Sequence, residues 1–482
     1  MKKKITIIII LVSLGIIGSM LVGYSENKIV NTIKYFIPQP VKNFAKERIF
    51  FISNLKSKIF VLENIIKGQN IEIKYLINQT NIQRKNIDYL LDKINQEDNK
   101  IVSTSIDNSK VIESKKGNQY KLKKFYYHAT PWQYNEKKPS GYLYLYDEQI
   151  FVASGDGKIS YFKINELNNN EIILNNINSN ILTYANDKNI INQGKISIRG
   201  VFIKNDKVFL SYTKKIKDNC YNTSIMISDL NLSNLIFKDF FTYNECSDDI
   251  SNHTGGRMID FNEDSFLFTI GDGQKFEKAQ DDNSLWGKLL QINFNGKIEK
   301  VIAKGLRNTQ GGTYFDEKKI LILSDHGPSG GDEINILKLK DFDKNLNFGW
   351  PIATYGKIKY IEIPQNKFSF ADELNHSKNG FEEPIKVYNP SVAPSHIINV
   401  NNLKNEFNND FFMSTMGNFP GVGRRSVHHL KFDENFKNIL YDDIIPIGER
   451  IRDMIFLKKQ KKNNFIVRIK PFNISYRTIV RK

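Results

Sequence analysis

The chain has 482 residues, 40% of them hydrophobic, enough to bury one large core with appendages. It carries 69 Lys and Arg against 52 Asp and Glu, a formal net charge of +17. The excess is spread through a composition rich in Lys, Asn and Ile. No Arg-rich helix or RNA-binding signature gathers it, so nucleic acid is set aside as a partner.

Lys2, Lys3 and Lys4 precede Ile5 to Tyr24, an uncharged run about long enough to cross a bilayer as a helix. The basic flank would stay in the cytoplasm and put the rest outside. The small-residue sites Gly18-Ser-Met and Gly23-Tyr-Ser match a cleavage signal poorly, so residues 1–24 are expected to be an uncleaved anchor, with a secretory signal as the alternative. This predicts a bacterial inner-membrane location with the bulk of the chain facing the periplasm.

Residues 25–119 are read as a helical stalk and linker. Ile49, Phe50, Ile52, Leu55, Ile59, Leu62, Ile65 and Ile66 recur at three- and four-residue steps, and further apolar residues follow to Ile94. A short coiled coil and a plain spacer both fit. Asn99 to Gly117, polar and poor in apolar residues, reads as linker. Farther on, Cys220 and Cys246 are the only cysteines and flank the open end of a predicted hairpin. A disulfide suits an oxidising compartment, and two unpaired thiols are the alternative.

From about Tyr120 the pattern turns to strands with a weak repeat. Tyr146-Asp-Glu-Gln-Ile-Phe-Val-Ala-Ser-Gly-Asp-Gly157, Phe261-Asn-Glu-Asp-Ser-Phe-Leu-Phe-Thr-Ile-Gly-Asp-Gly273 and Phe315-Asp-Glu-Lys-Lys-Ile-Leu-Ile-Leu-Ser-Asp-His-Gly327 share a polar turn, an apolar strand and a Gly/Asp end. Equivalent positions Ile150, Val208, Phe266, Ile320, Phe411 and Ile455 lie 58, 58, 54, 91 and 44 residues apart. About fifty residues per unit is the length of a four-stranded propeller blade. The prediction is an all-β, six-bladed β-propeller over 120–482, with extra loop between Ile320 and Phe411. A two-sheet sandwich would not give a recurring unit of that length.

Polar clusters fall at the blade ends. The stretch Gly305 to Asn335 is a predicted strand pair, and antiparallel pairing would carry Arg307, Asn308 and Gln310 to the same end as the loop from His326 to Glu333. His253-Thr-Gly-Gly-Arg257 opens the third blade, Gly271-Asp272-Gly273 ends its next strand, and Arg450 and Arg452 open the sixth, where a period of two would point them the same way. Singly, each has a bland reading: a satisfied histidine, a turn, a solvated pair. Together they describe a funnel with guanidinium groups, an imidazole, a carboxylate to orient it and a Gly-Pro loop with free carbonyls. That set suits a polyanionic cofactor with a hard cation, and a base working near neutral pH.

The ordered motifs GGRM, IGDG, GKLLQI, GLRNTQGG, DHGPSGGDEIN, NFGWPIATYG, PSVAPS and GERIRDM resemble those of the soluble sugar dehydrogenases that use pyrroloquinoline quinone (PQQ), the glucose/sorbosone dehydrogenase family. The likeness is good from His253 to Ile455 and loose over the first two blades. It implies a six-bladed propeller that oxidises an aldose at C1 to the lactone, with PQQ and calcium in the axial funnel and a quinone or cytochrome as electron acceptor. By this resemblance His253 is the base that takes the C1 hydroxyl proton, and Asp272 orients its imidazole. Arg307, Asn308, Arg450 and Arg452 hold PQQ, while Gly327 and Pro328 give backbone oxygens to calcium. Two positions depart from the family: no cation stands near Thr415-Met416-Gly417, where a fifth-blade lysine is usual, and Asn389 stands where glucose-oxidising members can have an aromatic. A sugar- or protein-binding propeller without activity, and a calcium-dependent lactonase-like hydrolase, are the other readings of the same scaffold.

Overall fold

A computed structural model describes residues 100–481, except 105–109, 128–140, 156, 170, 182–197, 249–252, 329, 357–375, 401–408, 418–422, 458–463 and 470–473, together with scattered positions between 54 and 80. The proposed anchor Ile5 to Tyr24 lies outside the described residues. Among those residues, no helix is long and apolar enough to cross a membrane. The scattered positions from Asn54 to Thr80 are helical and belong to a unit separate from Leu91–Lys482.

Leu91–Lys482 is an all-β, propeller-like unit built on six mainly antiparallel sheets. Their first strands are Gly141–Tyr146, Ile198–Lys204, Gly255–Asp260, Thr309–Phe315, Pro394–Asn399 and Ile451–Leu457. Each first strand adjoins the next, and Ile451–Leu457 adjoins Gly141–Tyr146, closing a ring. The sixth sheet joins both ends of the unit: Ile451–Leu457, Asn464–Ile469 and Ile474–Arg481 are completed by Gln119–Tyr127 and Lys110–Glu113. The stretch expected as linker therefore contributes strands, Lys110–Glu113 to this sheet and Lys100–Thr104 to the edge of the first. Closure leaves no exposed pair of sheet edges between the first and last units.

Second strands are deeply buried because neighbouring sheets cover both of their faces. Ser265–Ile270, Ile320–Asp325 and Asp410–Thr415 are buried at every position. Between the second and third sheets, Phe202, Phe209 and Phe266 pack with centroids 5.6 to 5.8 Å apart. Each such ring contributes about 2 kcal/mol by leaving water. Turns between first and second strands explain the polar half of the repeat. Asn205 and Asp206 both have positive φ, the requirement of a tight hairpin turn whose twist matches its strands.

Ile150, Val208, Phe266, Ile320 and Phe411 all lie on second strands, as the repeat requires. Ile455 does not. It lies on a first strand, and the second strand of the sixth sheet is Asn464–Ile469, which brings the last interval close to the others. The long interval after Ile320 supplies Lys386–Tyr388, the fourth strand of its sheet, and Leu346–Asn347, which pairs with the edge of the third sheet. Cys220 and Cys246 form a disulfide, with Cα atoms 5.2 Å apart.

Candidate active site

Antiparallel pairing brings the start of each first strand to the same end as the finish of its second. Thr309 is paired with Asp325 and Gly255 with Ile270, so His253, Asp272, Arg307 and the His326 loop meet at one end of the ring. The first strands of the second to sixth sheets share one more feature, a register shift near their start. Such bulges re-aim side chains. Here they fall beside Arg199, Arg257, Gln310, His396 and Arg452, a set of polar groups on the innermost strands.

His253 sits at φ 55° in the left-handed region, an uncommon place for a residue with a Cβ. Its carbonyl accepts from the Gly273 amide at 3.0 Å. Gly271 makes that approach possible, because a Cβ there would stand 2.1 Å from the His253 carbonyl oxygen. The glycines of Gly271-Asp272-Gly273 thus hold the histidine's backbone as well as turning the chain.

The imidazole is fixed from both sides. Nδ1 lies 2.8 Å from Asp272 Oδ1. Asp272 is fully buried; its Oδ2 accepts from Trp350 Nε1 at 2.7 Å and its Oδ1 from the Gln274 amide at 2.9 Å. A carboxylate so held accepts the Nδ1 proton and leaves Nε2 with its lone pair. That nitrogen faces Arg307 Nη2 at 2.9 Å. Arg307 also donates through Nη1 to the carbonyls of His326 at 2.9 Å and Gly327 at 2.8 Å, and stacks over Trp350 at 5.1 Å. His253, Asp272, Arg307 and Gly327 therefore form one connected group.

Buried carboxylates hold the loop beneath it. Asp325 accepts from the amides of Arg307 at 2.9 Å and Asn308 at 2.6 Å; burial nevertheless raises it to about 6. Asp332 accepts from Ser391 Oγ and the amides of Val392 and Ala393, each at 2.7 Å, and from the Gly327 amide at 3.0 Å, tying the glycine loop to the fifth sheet. Burial, with Asp325 nearby, pushes Glu333 up to about 8. Burial first, then Arg307 and Arg452, drive His326 down to about 3, so it is neutral. Gly327 accepts Arg307 rather than standing free, and among the described residues no group of three or more His, Cys, Asp or Glu is placed to hold a metal.

The remaining predicted residues are reached by a chain. Asn308 Oδ1 accepts from the Gly255 amide at 3.3 Å and from Gln310 Nε2 at 2.8 Å, and Gln310 Oε1 accepts from Arg452 Nη1 at 2.7 Å. Asn308 is buried and braces the third sheet. Arg450 and Arg452 reach different sheets. Arg450 precedes the strand and donates to the Met416 carbonyl, while the register shift turns Arg452 toward the fourth sheet. The period of two fails at the bulge.

Sequence reasoning gave no role to four contributors. Trp350 fixes Asp272 and flanks Arg307; its signal was the NFGWP motif. Arg257 donates to Asp453 at 3.1 Å and to the Gln310 carbonyl at 3.0 Å. Arg424 and Arg425 supply the fifth sheet with cations: Arg425 Nε donates to the Gly417 carbonyl at 3.2 Å and Arg424 Nε to Ser391 at 2.7 Å. The absence of a cation at Thr415-Met416-Gly417 was true of the sequence position but not of the space, because the hairpin folds both arginines back. Burial first, then Arg452 and Arg425, lower Arg450 to about 10, a mark of like charges crowded together.

A ring of sheets with a buried carboxylate–imidazole pair and a concentration of guanidinium groups at one end defines a propeller with a polar, cation-rich end. The Glucose / Sorbosone dehydrogenase family model matches residues 136–461, and the chain belongs to that family. Among curated proteins it is similar to the aldose sugar dehydrogenase YliI of Escherichia coli K12, 28% identical over 56% of this chain and 75% of the relative. It is also 26% identical to the uncharacterized Synechocystis protein slr1608 over 42% of this chain, a match that spans half of that relative's length. Among solved structures, the apo-form of soluble aldose sugar dehydrogenase from Escherichia coli aligns with TM-score 0.55 at 19% identity, covering 78% of this chain and 99% of that one. A PQQ-bound aldose sugar dehydrogenase from Streptomyces coelicolor aligns with TM-score 0.50 at 15% identity, covering 72% and 95%. Likenesses at this identity speak to the fold.

Proposed function

We propose that this propeller, read as six-bladed from its six sheets, oxidises an aldose-type sugar at C1 to the lactone with PQQ. The observation that carries this reading is unbalanced charge around a poised base. Arg307 and Arg452 donate to carbonyl, amide and imidazole acceptors and have no ion pair with a carboxylate among the described residues. Arg307 Nε and His326 Nε2 are buried and without a hydrogen-bond partner among the described residues. Unmatched guanidinium groups and orphaned polar atoms are costly unless a polyanion meets them. A tricarboxylate quinone fits that donor set; a lactonase or a binding module has no need of it. The PQQ-bound relative from Streptomyces coelicolor supports the same reading.

Arg307, Asn308, Arg450 and Arg452 would hold PQQ, with Arg424 and Arg425 adding charge from the fifth sheet. When bound, PQQ supplies a hydride acceptor. Asp272 keeps the His253 proton on Nδ1, so Nε2 is the atom that receives the proton of the sugar's C1 hydroxyl. Since Nε2 faces Arg307 in this structure, the guanidinium must turn from the histidine before the base works. The same motion frees the Gly327 oxygen, which with that of Pro328 we assign to calcium. A quinone or cytochrome would take the electrons onward. A membrane anchor at Ile5 to Tyr24 would place the propeller in the periplasm, consistent with the disulfide.

The test uses the full chain with PQQ and calcium, following dye reduction with a panel of aldoses and, separately, the PQQ-dependent rise in thermal midpoint. We expect both. Absence of reduction with every sugar, together with an unchanged midpoint, would end the reading.

A further inference from the structure

We infer that His428 is an imidazolium in the folded chain, a positioning residue whose two ring N–H groups hold the Gly423-Arg424-Arg425 turn at the cation-rich end of the ring. That the turn serves PQQ rests on the reading above; the protonation of His428 and its hold on the turn do not. His428 lies on Ser426–Phe432, the third strand of the fifth sheet, and is 1% exposed.

Both ring nitrogens meet oxygens that have no hydrogen to give. Nε2 lies 2.8 Å from the Gly423 carbonyl oxygen and Nδ1 lies 2.9 Å from Asp442 Oδ1. Burial pushes the Asp442 carboxyl up, but the hydrogen bond and charge of His428, then Lys386 and Tyr388, bring it below the usual carboxylate range. A proton shared between the two therefore belongs to the imidazole, the stronger base. A neutral imidazole has one N–H and would leave one oxygen facing a bare lone pair at hydrogen-bond distance. Among the described residues, the titratable groups facing this pair from the fourth sheet are Lys386 and Tyr388. Lys386 Nζ is 3.7 Å and the Tyr388 hydroxyl 3.3 Å from Asp442 Oδ2, and the Tyr388 ring stands edge-on to the imidazole at 5.3 Å.

The sequence of the turn is fitted to this contact. Gly423 sits at φ 79°, and a Cβ there would stand 2.6 Å from His428 Nε2. Three successive carbonyls of the turn are then held. Ser426 Oγ donates to that of Arg424 at 2.9 Å, and the Gly448 amide to that of Arg425 at 2.9 Å. Thr415 Oγ1 lies 2.8 Å from the Gly423 carbonyl and 3.0 Å from that of Ser426, so its single hydrogen serves two acceptors and His428 supplies the other donor. The His428 bond is the one of these with a charged donor, and such bonds are the stronger kind. Through it the placement of Arg424 and Arg425 depends on a proton.

The test uses the full chain labelled with 15N-histidine, the His428 signals being assigned by their loss in His428→Gln. At neutral pH both ring nitrogens should carry hydrogen; a bare nitrogen would overturn the assignment. Two variants separate the charge from the hold. Asp442→Asn offers an amide N–H to Nδ1, so a neutral imidazole keeps its hydrogen on Nε2 for Gly423; His428→Gln replaces two opposed N–H groups by one amide. The PQQ concentration for the half-maximal midpoint shift should rise about tenfold in His428→Gln, the worth of one hydrogen bond from a charged donor, and stay within about twofold in Asp442→Asn. As rising pH removes the second imidazole proton, the unmodified chain should approach the His428→Gln value and Asp442→Asn should not. Equal behaviour of the two variants would show that His428 only fills space. Trypsin gives a readout without PQQ: cleavage after Arg424 or Arg425 should be faster in His428→Gln than in the unmodified chain or Asp442→Asn, and equal rates would overturn the hold on the turn. If PQQ shifts no midpoint in the unmodified chain, the sugar dehydrogenase reading fails, and the 15N and trypsin results decide this one.

Discussion

At the scale of single residues, the site depends on how His253 is held. His253→Ala removes the proposed base but no carboxylate clamp, so turnover should fall by about 10² to 10⁴-fold while the PQQ-dependent rise in thermal midpoint persists. Gly271→Ala should act on the same group indirectly. Its new Cβ would stand 2.1 Å from the His253 carbonyl oxygen, so the histidine's backbone must move. Loss of turnover without loss of folding, compared by steady-state rates and thermal melts, is the expected result; an unchanged rate would show that this backbone contact does not position the base. Glu333 makes a prediction about pH. Burial, with Asp325 adding to it, raises its folded-state value to about 8, above that of an unfolded glutamate. The stability linked to its protonated form is therefore complete below the unfolded value and is lost as pH rises through about 8. In metal-free buffer the thermal midpoint should fall from pH 5 to 8. Glu333→Gln should make that fall shallower, leaving the part due to Asp325, raised to about 6, and to Asp332 and Asp453, which burial also raises.

At the scale of elements, the register shifts near the starts of the first strands matter most. A regular strand would have sent Arg450 and Arg452 in one direction; the shift between Ile451 and Asp453 sends them to different sheets. No local propensity marks such a shift, since it is set by how the strand starts pack around the ring. The arginines of the fifth sheet were hidden for a related reason: a hairpin returns Arg424 and Arg425 to a place that linear distance from Met416 does not suggest. Arg425→Ala should weaken PQQ-dependent stabilisation, read as a higher PQQ concentration for the half-maximal shift, with the unliganded midpoint little changed. The disulfide closes a separation of 26 residues on the second sheet. Cys220→Ser with Cys246→Ser should cost about 3 kcal/mol, measured by denaturant unfolding of the Leu91–Lys482 unit.

At the scale of the whole molecule, closure through the sixth sheet makes Leu91–Lys482 one cooperative object. Gln119–Tyr127 pairs along its length with Ile474–Arg481. A chain begun after Tyr127 should therefore fail to fold, whereas one begun near Leu91 should give a sharp melt; a sharp melt from the shorter chain would show that the ring closes without those strands.

Much of this was legible in the amino-acid sequence because the repeat is local. A polar turn, an apolar strand and a Gly/Asp end recur because neighbouring sheets cover the second strands in the same way, and that alone predicted the sheet-rich unit; its start was placed too late, near Tyr120, since strands begin at Lys100. His253, Asp272 and Arg307 stood out because cation, imidazole and carboxylate at blade ends have little structural reason to gather. The tertiary structure alone decided the rest: that Lys110–Glu113 is strand rather than linker, that Gly327 meets Arg307, that Arg450 and Arg452 part, and that Arg424 and Arg425 enter the site. These depend on which strands of distant sequence become neighbours around a closed ring, and the hydrophobic pattern of one segment carries no record of what is packed beside it.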